Sequence, residues 1–312
     1  MELAPVALFA YKRKGKIKKC IQSIEQNDEC KDSILFVFCD GYKNENDREQ
    51  VEETKRYVRQ YVSVSKFKEV HIVESERNKG LAASIIDGVT SVVNTYGKVI
   101  VIEDDLIVSK YCLKFLNESL EYYKDCSDIG AISAYIYPLK SLEKCKNDVF
   151  LMHKGECWGW ATWSDRWNNA EWANMDYNAY LSDWNRRKKF EKLEAYWDSM
   201  MCAQAKGKID SWAIRWMYHL FIEHMLTVYP RIPFVSNDGM DGSGMHCGET
   251  SKYSVSFNEA NDSIDYAQID ISRKLEKEAY NFTKKSFGTY SLSRILSFFE
   301  YILYLFIRNI KK

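Results

Sequence analysis

Lys98–Ser109 reads KVIVIEDDLIVS, and the fold is decided by how this stretch is read. Val99, Ile100, Val101 and Ile102 make an unbroken β-branched run, the pattern of a strand buried on both faces of a parallel sheet. The run stops at Glu103, Asp104 and Asp105. Open α/β sheets bind ligands beyond the carboxyl ends of their strands, so these acids stand where a ligand would be held. Adjacent carboxylates repel one another, and each is costly to desolvate unless a cation or hydrogen bonds compensate. A magnesium or manganese ion is the simplest compensation, because either takes one or two carboxylates and leaves its other positions to water and phosphate oxygens. The competing reading is an acidic turn that opens the next helix.

Working outward, the segment before this strand repeats its logic. Pro5–Ala10, PVALFA, is a short buried strand running into Tyr11, Lys12 and Arg13, and Ile17, Cys20, Ile21 and Ile24 then recur at helical spacing. Ile34–Cys39, ILFVFC, is a second strand and ends at Asp40 and Gly41. Glu49–Tyr61 reads as an outer helix and Val70–Val73 as a third strand. Arg77, Asn78, Lys79 and Gly80 then open a helix carrying Ile85, Ile86 and Val89, a loop that offers backbone N–H groups and a guanidinium to a phosphate. Four strands separated by helices predict an α/β domain with a mostly parallel central sheet covered on both faces. The G-x-G-x-x-G and P-loop signatures are absent, so a nucleotide here has to be held by acids and a metal.

The charge balance, 44 basic against 44 acidic residues in 312, gives no global field that would draw the chain to nucleic acid. The nine cysteines form no C-x-x-C pair and read as reduced core residues, and MELAPVALFAYKRKGK has its apolar and basic parts in the reverse order of a secretory signal. A cytoplasmic protein is expected.

Beyond Ser109, Tyr111–Tyr123 continues as a helix and Ile129–Ile136 as a strand. CWGWATWSDRWNNAEW then places Trp158, Trp160, Trp163, Trp167 and Trp172 around Gly159, either as core or as a wall on which sugars stack. Tyr180–Ala205 reads as helical and peripheral. Ile209–Phe221 is a helix with Trp212, Trp216 and Leu220 on one face and Asp210 at its start. SNDGMDGSGMHCG, 236–248, is a glycine-rich loop carrying His246, able to fold over a diphosphate. From Glu249 to Phe287 the chain is polar and weakly periodic. Ser291–Lys312 is apolar at helical spacing, tipped with Arg308, Lys311 and Lys312, too short to span a bilayer and suited to an anionic membrane surface or to docking on the body or a dimer partner. A catalytic domain over 1–250 and an extension over 251–312 follow.

These motifs resemble, in order, the nucleotide-sugar glycosyltransferases of GT-A fold, and more narrowly the inverting N-acetylglucosaminyltransferase I type and related bacterial sugar transferases. PVALFAYKR resembles that group's first strand, which places Ala10 and Arg13 at the nucleotide. FCDG resembles the segment whose acid meets the base, giving Asp40. VIVIEDDL resembles its E-D-D motif, in which the last acid holds the metal, so Asp105 is the ligand for Mn2+ or Mg2+ and Glu103 and Asp104 meet the nucleotide sugar. CWGWATWSDRW resembles its Gly-Trp segment, giving Trp158, Gly159 and Trp160. IDSWAIRW resembles its W-D-D-W-x-R segment, with Ser211 in place of one acid and Arg215 one residue late, so Asp210 becomes the expected base. The glycine-rich loop, with His246, resembles the one that orders over bound donor.

The resemblance implies inverting transfer from a UDP-sugar to a glycan or lipid-linked saccharide acceptor, in bacterial surface polysaccharide synthesis, with Arg77 supporting the diphosphate beside Arg13. Two other readings compete: a carbohydrate-binding protein that uses only the Trp wall, and a sugar nucleotidyltransferase, whose Lys-bearing N-terminal glycine loop is missing here.

Overall fold

The apolar runs of the amino-terminal half fold as strands β1 (Val6–Ala10), β2 (Ile34–Cys39), β3 (Glu69–Glu74) and β4 (Lys98–Glu103), all parallel. Helices α1 (Lys14–Ile24), α2 (Glu45–Tyr61) and α3 (Leu81–Tyr96) link them in turn. The structure, a computed structural model, describes residues 2–242, 250–259, 263–267, 269–286, 298–299, 301–304 and 306. The chain continues with β5 (Leu106–Val108), α4 (Cys112–Tyr122), β6 (Ile129–Ser133), β7 (Val149–Met152), β8 (Trp160–Trp163) and the short α5 (Ser164–Trp167). Helices α6 (Tyr177–Ser182), α7 (Trp184–Glu191), α8 (Trp197–Ala205) and α9 (Trp212–Ile222) precede β9 (Leu226–Pro230) and β10 (Val235–Asn237), and α10 (Arg273–Ser286) follows.

Among the described residues, eight strands form one sheet in the order β3-β2-β1-β4-β8-β6-β9-β7. Only β8 and β7 run against the others. The result is a Rossmann-like, mostly parallel sheet flanked by helices, the α/β class read from the sequence. Side chains alternate across it: Leu8, Ile100 and Ile102 enter a core shared with α1 and α4, while Phe9, Val99, Val101 and Trp160 enter a second core shared with α3 and α9. Each fully buried Val, Ile or Leu contributes about 1.5–3 kcal/mol. The strand order turns back between β1 and β4, and that switch point fixes where a ligand crevice opens.

Several elements depart from expectation. Helix α2 begins at Glu45, four residues early, because the Asn44 side chain caps it by accepting from Asn46 N–H and Asp47 N–H. Strand β7 is only four residues of apolar chain, too short to register as periodic, and pairs with β9 at the sheet edge. The segment expected to be peripheral, 180–205, instead completes the second core with Tyr180, Phe190 and Met201, none of them solvent-exposed. Its charged residues hid that role: Arg187 is buried because it pairs with Asp198 at 2.8 Å. The polar stretch after 249 contains α10, whose Leu275 and Ala279 lie in the first core.

Candidate active site

Strand β1 ends at the buried Ala10, and Tyr11, Lys12 and Arg13 lead into α1. Tyr11 Oη and Lys12 Nζ both donate to the Asp47 carboxylate of α2, at 3.0 and 2.6 Å. That tether takes Lys12 out of the crevice and leaves Arg13 to face the acids. Arg13 Nη2 donates to Asp104 Oδ1 and, at 3.0 Å, to Asp105 Oδ2. The fold thus joins the ends of β1 and β4 through one guanidinium and two carboxylates. Burial opposes the Arg13 charge, yet Asp104 and Asp105 outweigh it and hold its pKa above the ordinary value. Burial pushes Asp104 up to about 6 while Arg13 pulls it down. Glu103, at the end of β4, is pushed up to about 8, first by burial and then by Asp105 and Asp104. One guanidinium facing three carboxyls leaves the cluster short of positive charge.

The far side of Asp105 is closed by an antiparallel ribbon of β5 and β10. Asp238 N–H donates to the Asp105 carbonyl at 2.8 Å. A Cβ on Gly239 would lie 2.3 Å from Asp105 Oδ2, so only glycine fits against that carboxylate as it stands. Lys16 and Lys19 of α1 hold the Asp238 side chain from outside, at 3.2 and 3.0 Å.

On the β8 side, the antiparallel pairing with β4 ends at Val101–Trp160, so the Trp158–Gly159 turn enters β8 at the end of the sheet where β4 finishes in Glu103. Gly159 lies between the two tryptophans at φ 66°, where a Cβ would strike Val235 at 2.7 Å. Trp158 keeps partial exposure and packs on Tyr135 and Tyr253, with ring centroids 4.6 and 5.9 Å away. Trp160, expected on the donor, is wholly buried instead and stacks on Trp212 at 5.3 Å. Trp167 and Trp216 join it, so the tryptophan run is largely core, and Trp158 is the ring it presents beside the acids. Gly159 explains the split: alternation alone would put Trp158 and Trp160 on one face, but the left-handed backbone at Gly159 lets Trp158 pack on the first core while Trp160 enters the second.

Asp40 and Arg77 occupy the neighbouring β2 end in an unexpected relation. The Asp40 carboxylate accepts from Gly41 N–H at 2.8 Å, Lys79 N–H at 2.8 Å, Gly80 N–H at 3.0 Å and Asn78 Nδ2 at 3.0 Å. The amides expected to serve a phosphate are thus taken by an internal anion at the start of α3. Gly41 is required here, since a Cβ would fall 2.4 Å from the Arg77 carbonyl carbon. Arg77 itself is exposed and forms no ion pair among the described residues.

Glu156 is a residue that the sequence reading passed over. It keeps partial exposure but is closely surrounded, accepts from Cys157 N–H at 2.9 Å, and has its pKa raised by burial. Burial raises the pKa of the Cys157 thiol, and the charges of both Glu156 and Glu103 add to that. The available signal was an acid one residue ahead of the Cys-Trp-Gly-Trp run. Nearby, Lys154 and Glu194 form a buried ion pair, also missed. Asp210, the expected base, is not brought into contact with the Arg13–Asp104–Asp105 cluster: its side chain is 67% exposed and pairs with Arg215 at 2.7 Å. The cap of α9 is Ser211, whose Oγ accepts from Ile214 N–H at 3.3 Å. His246 lies outside the described residues.

No family model matches the chain, and no curated protein does. Among solved structures, S. aureus TarS is similar over 42% of this chain and 21% of its own, at 15% identity and a TM-score of 0.32. A structure of S. aureus TarS 1–349 is similar over 42% of this chain and 34% of its own, at 16% identity and a TM-score of 0.31. The chain therefore spans about a third or less of each of these two structures.

A divalent cation suits the donor set at the end of β4. Among the described residues no three His, Cys, Asp or Glu groups converge as a closed cage. Magnesium and manganese do not need one, since a carboxylate or two plus phosphate oxygens and water complete their shell. Asp105 supplies such a carboxylate: Arg13 occupies its Oδ2, while Oδ1 accepts no hydrogen bond among the described residues. Glu103 lies beside it with a carboxyl that is likewise without a hydrogen-bond donor there.

Proposed function

We propose that the chain is a glycosyltransferase that moves a sugar, with inversion, from a nucleoside diphosphate donor to a hydroxyl of a glycan acceptor. The sequence resemblance makes UDP the nucleotide and bacterial surface polysaccharide synthesis the setting. The observation carrying this reading is the Arg13–Asp104–Asp105 cluster at the switch point between β1 and β4. A departing diphosphate concentrates negative charge, and this crevice offers it a fixed guanidinium. A divalent cation held by Asp105 would neutralise the same charge on the leaving group.

The chain's own groups set the geometry. Arg13 stays protonated and orients the phosphates, while Trp158 closes the sugar side beside Glu103. The acceptor oxygen bonds to the anomeric carbon as the bond to the β-phosphate oxygen breaks, its proton passes to a carboxylate, and nucleoside diphosphate departs. Two carboxylates compete for that proton. Asp210 has the sequence resemblance behind it; Glu156 has its raised carboxyl, next to the Cys157 thiol whose pKa Glu103 also raises. The loss of the exposed tryptophan wall to the core leaves the pure carbohydrate-binding alternative without its support.

Calorimetry with UDP and manganese tests the reading: binding that needs the metal and disappears in Asp105→Ala supports it, and metal-independent binding defeats it. Asp210→Asn and Glu156→Gln then separate the candidate bases. The base is the one whose variant still binds donor but turns over at least about 100-fold more slowly. Release of pyrophosphate in place of UDP would point to a nucleotidyltransferase.

A further inference from the structure

The last described residues, 298–299, 301–304 and 306, are helical and lie against α6 and α7. Tyr301 stacks on Trp184 with centroids 5.3 Å apart, Phe298 meets the same indole edge-on at 5.2 Å, and Tyr304 Oη donates to Asn178 at 2.9 Å. These three residues recur every third position and form the docked side. Phe299, Ile302, Leu303 and Phe306 recur at i, i+3, i+4 and i+7, so they share the opposite side, and each is between 48 and 64% exposed. Docking on the body therefore does not hide the apolar stripe. It fixes the stripe facing outward.

Charge beside the stripe says what covers it. Helix α7 continues from Trp184 into Arg186, Arg187, Lys188 and Lys189, with Lys192 just beyond. Lys188 Nζ lies 5.8 Å from the Trp184 ring that receives the tail, and Lys188, Lys189 and Lys192 are all exposed. Asp183 faces Arg186 at 3.5 Å, and the buried Arg187 pairs with Asp198. Lys188, Lys189 and Lys192 form no ion pair among the described residues and stand open to an outside anion. Within 291–312 the sequence has four basic residues, Arg294, Arg308, Lys311 and Lys312, against Glu300 alone. No helix among the described residues is long and apolar enough to cross a membrane. A second copy of the same basic face would repel, whereas an anionic lipid surface takes both the stripe and the lysines.

We infer that the outward side of the tail helix and the exposed lysines of α7 form one surface that seats the protein on an anionic membrane. Trp184 is the joint that locks the two parts together. This surface acts apart from the transfer chemistry, and its test reads a different signal. Full-length protein is sedimented with vesicles of phosphatidylcholine alone or mixed with phosphatidylglycerol. Strong co-sedimentation with the anionic vesicles only is expected. Replacing Lys188 and Lys189 by Gln should weaken partitioning to those vesicles about 25-fold, at roughly 1 kcal/mol per cation. Phe299→Ser with Leu303→Ser should weaken it by at least about 10-fold while manganese-dependent UDP binding stays unchanged, which also controls for folding. Equal binding to neutral vesicles, no binding to either, or vesicle binding that survives both sets of changes would overturn the inference. So would a stripe variant that only converts a dimer to a monomer.

Discussion

Gly239 shows how tightly the acidic end of β4 is specified. A methyl group there would lie 2.3 Å from Asp105 Oδ2, so Gly239→Ala has to push the carboxylate away while leaving the sheet untouched. The expected result is a normal melting temperature with manganese-dependent UDP affinity reduced at least about 10-fold, equivalent to about 1.4 kcal/mol, as read by calorimetry. His219 carries a pH signature of a different kind. It is 2% exposed, stacked on Trp216 at 5.4 Å, and its Nε2 has no hydrogen-bond partner among the described residues. Burial lowers its pKa from 6.5, against the pull of Glu223 and a backbone hydrogen bond at Arg166. The folded state thus favours the neutral ring, and the unfolded chain binds the proton first. The stability it contributes is fully present above pH 6.5 and declines as pH falls through that value, by at most about 1.4 kcal/mol per pH unit. Between pH 7.5 and 5.5 the urea midpoint of His219→Phe should fall less, or rise more, than that of the native protein, in which the raised Glu103 and Asp104 carboxyls act in the opposite direction.

At the scale of elements, Ser211 and Asp210 separate a structural role from a chemical one. Ser211 caps α9, so Ser211→Ala should cost about 1 kcal/mol in chemical denaturation. Asp210→Asn, at an exposed position, should change stability by less than about 0.5 kcal/mol whatever it does to turnover. The strands β1, β2 and β4 and the helices between them were legible because burial on two faces writes continuous β-branched and aromatic runs, and α1, α3 and α9 repeat their apolar residues at helical spacing. The acids at strand ends were legible for the same reason. What escaped was decided by partners distant in sequence. Nothing local says that Asp40 will claim the amides of Lys79 and Gly80, or that Trp160 will turn inward while Trp158 keeps partial exposure. Arg187 and Glu194 read as surface charges because their buried partners, Asp198 and Lys154, lie elsewhere in the chain.

Across the whole molecule, the Lys154–Glu194 pair bridges the turn after β7 and the segment ahead of α8 with side chains 3% and 0% exposed. Glu194 Oε1 has no hydrogen-bond partner among the described residues, while Lys154 Nζ also donates to Tyr137 Oη at 3.3 Å and lies 4.3 Å from the centre of that ring. Lys154→Met should strand a buried carboxylate and cost about 3–5 kcal/mol, whereas the double change with Glu194→Leu should recover most of it. A double-mutant cycle by urea denaturation checks both outcomes; additive losses would show that the pair is not coupled.

The ribbon of β5 and β10 gives the acidic turn a history as well as a shape. Leu106–Val108 emerges from the ribosome well before the strand that braces it, Val235–Asn237, with β6 to β9 made in between. Half of the sheet can therefore assemble around β1 and β4 while the pocket wall beside Asp105 is still missing. A nascent chain not yet extended past Asn237 would carry the carboxylates without their brace, so the crevice beside Asp105 is completed only once β10 has been made.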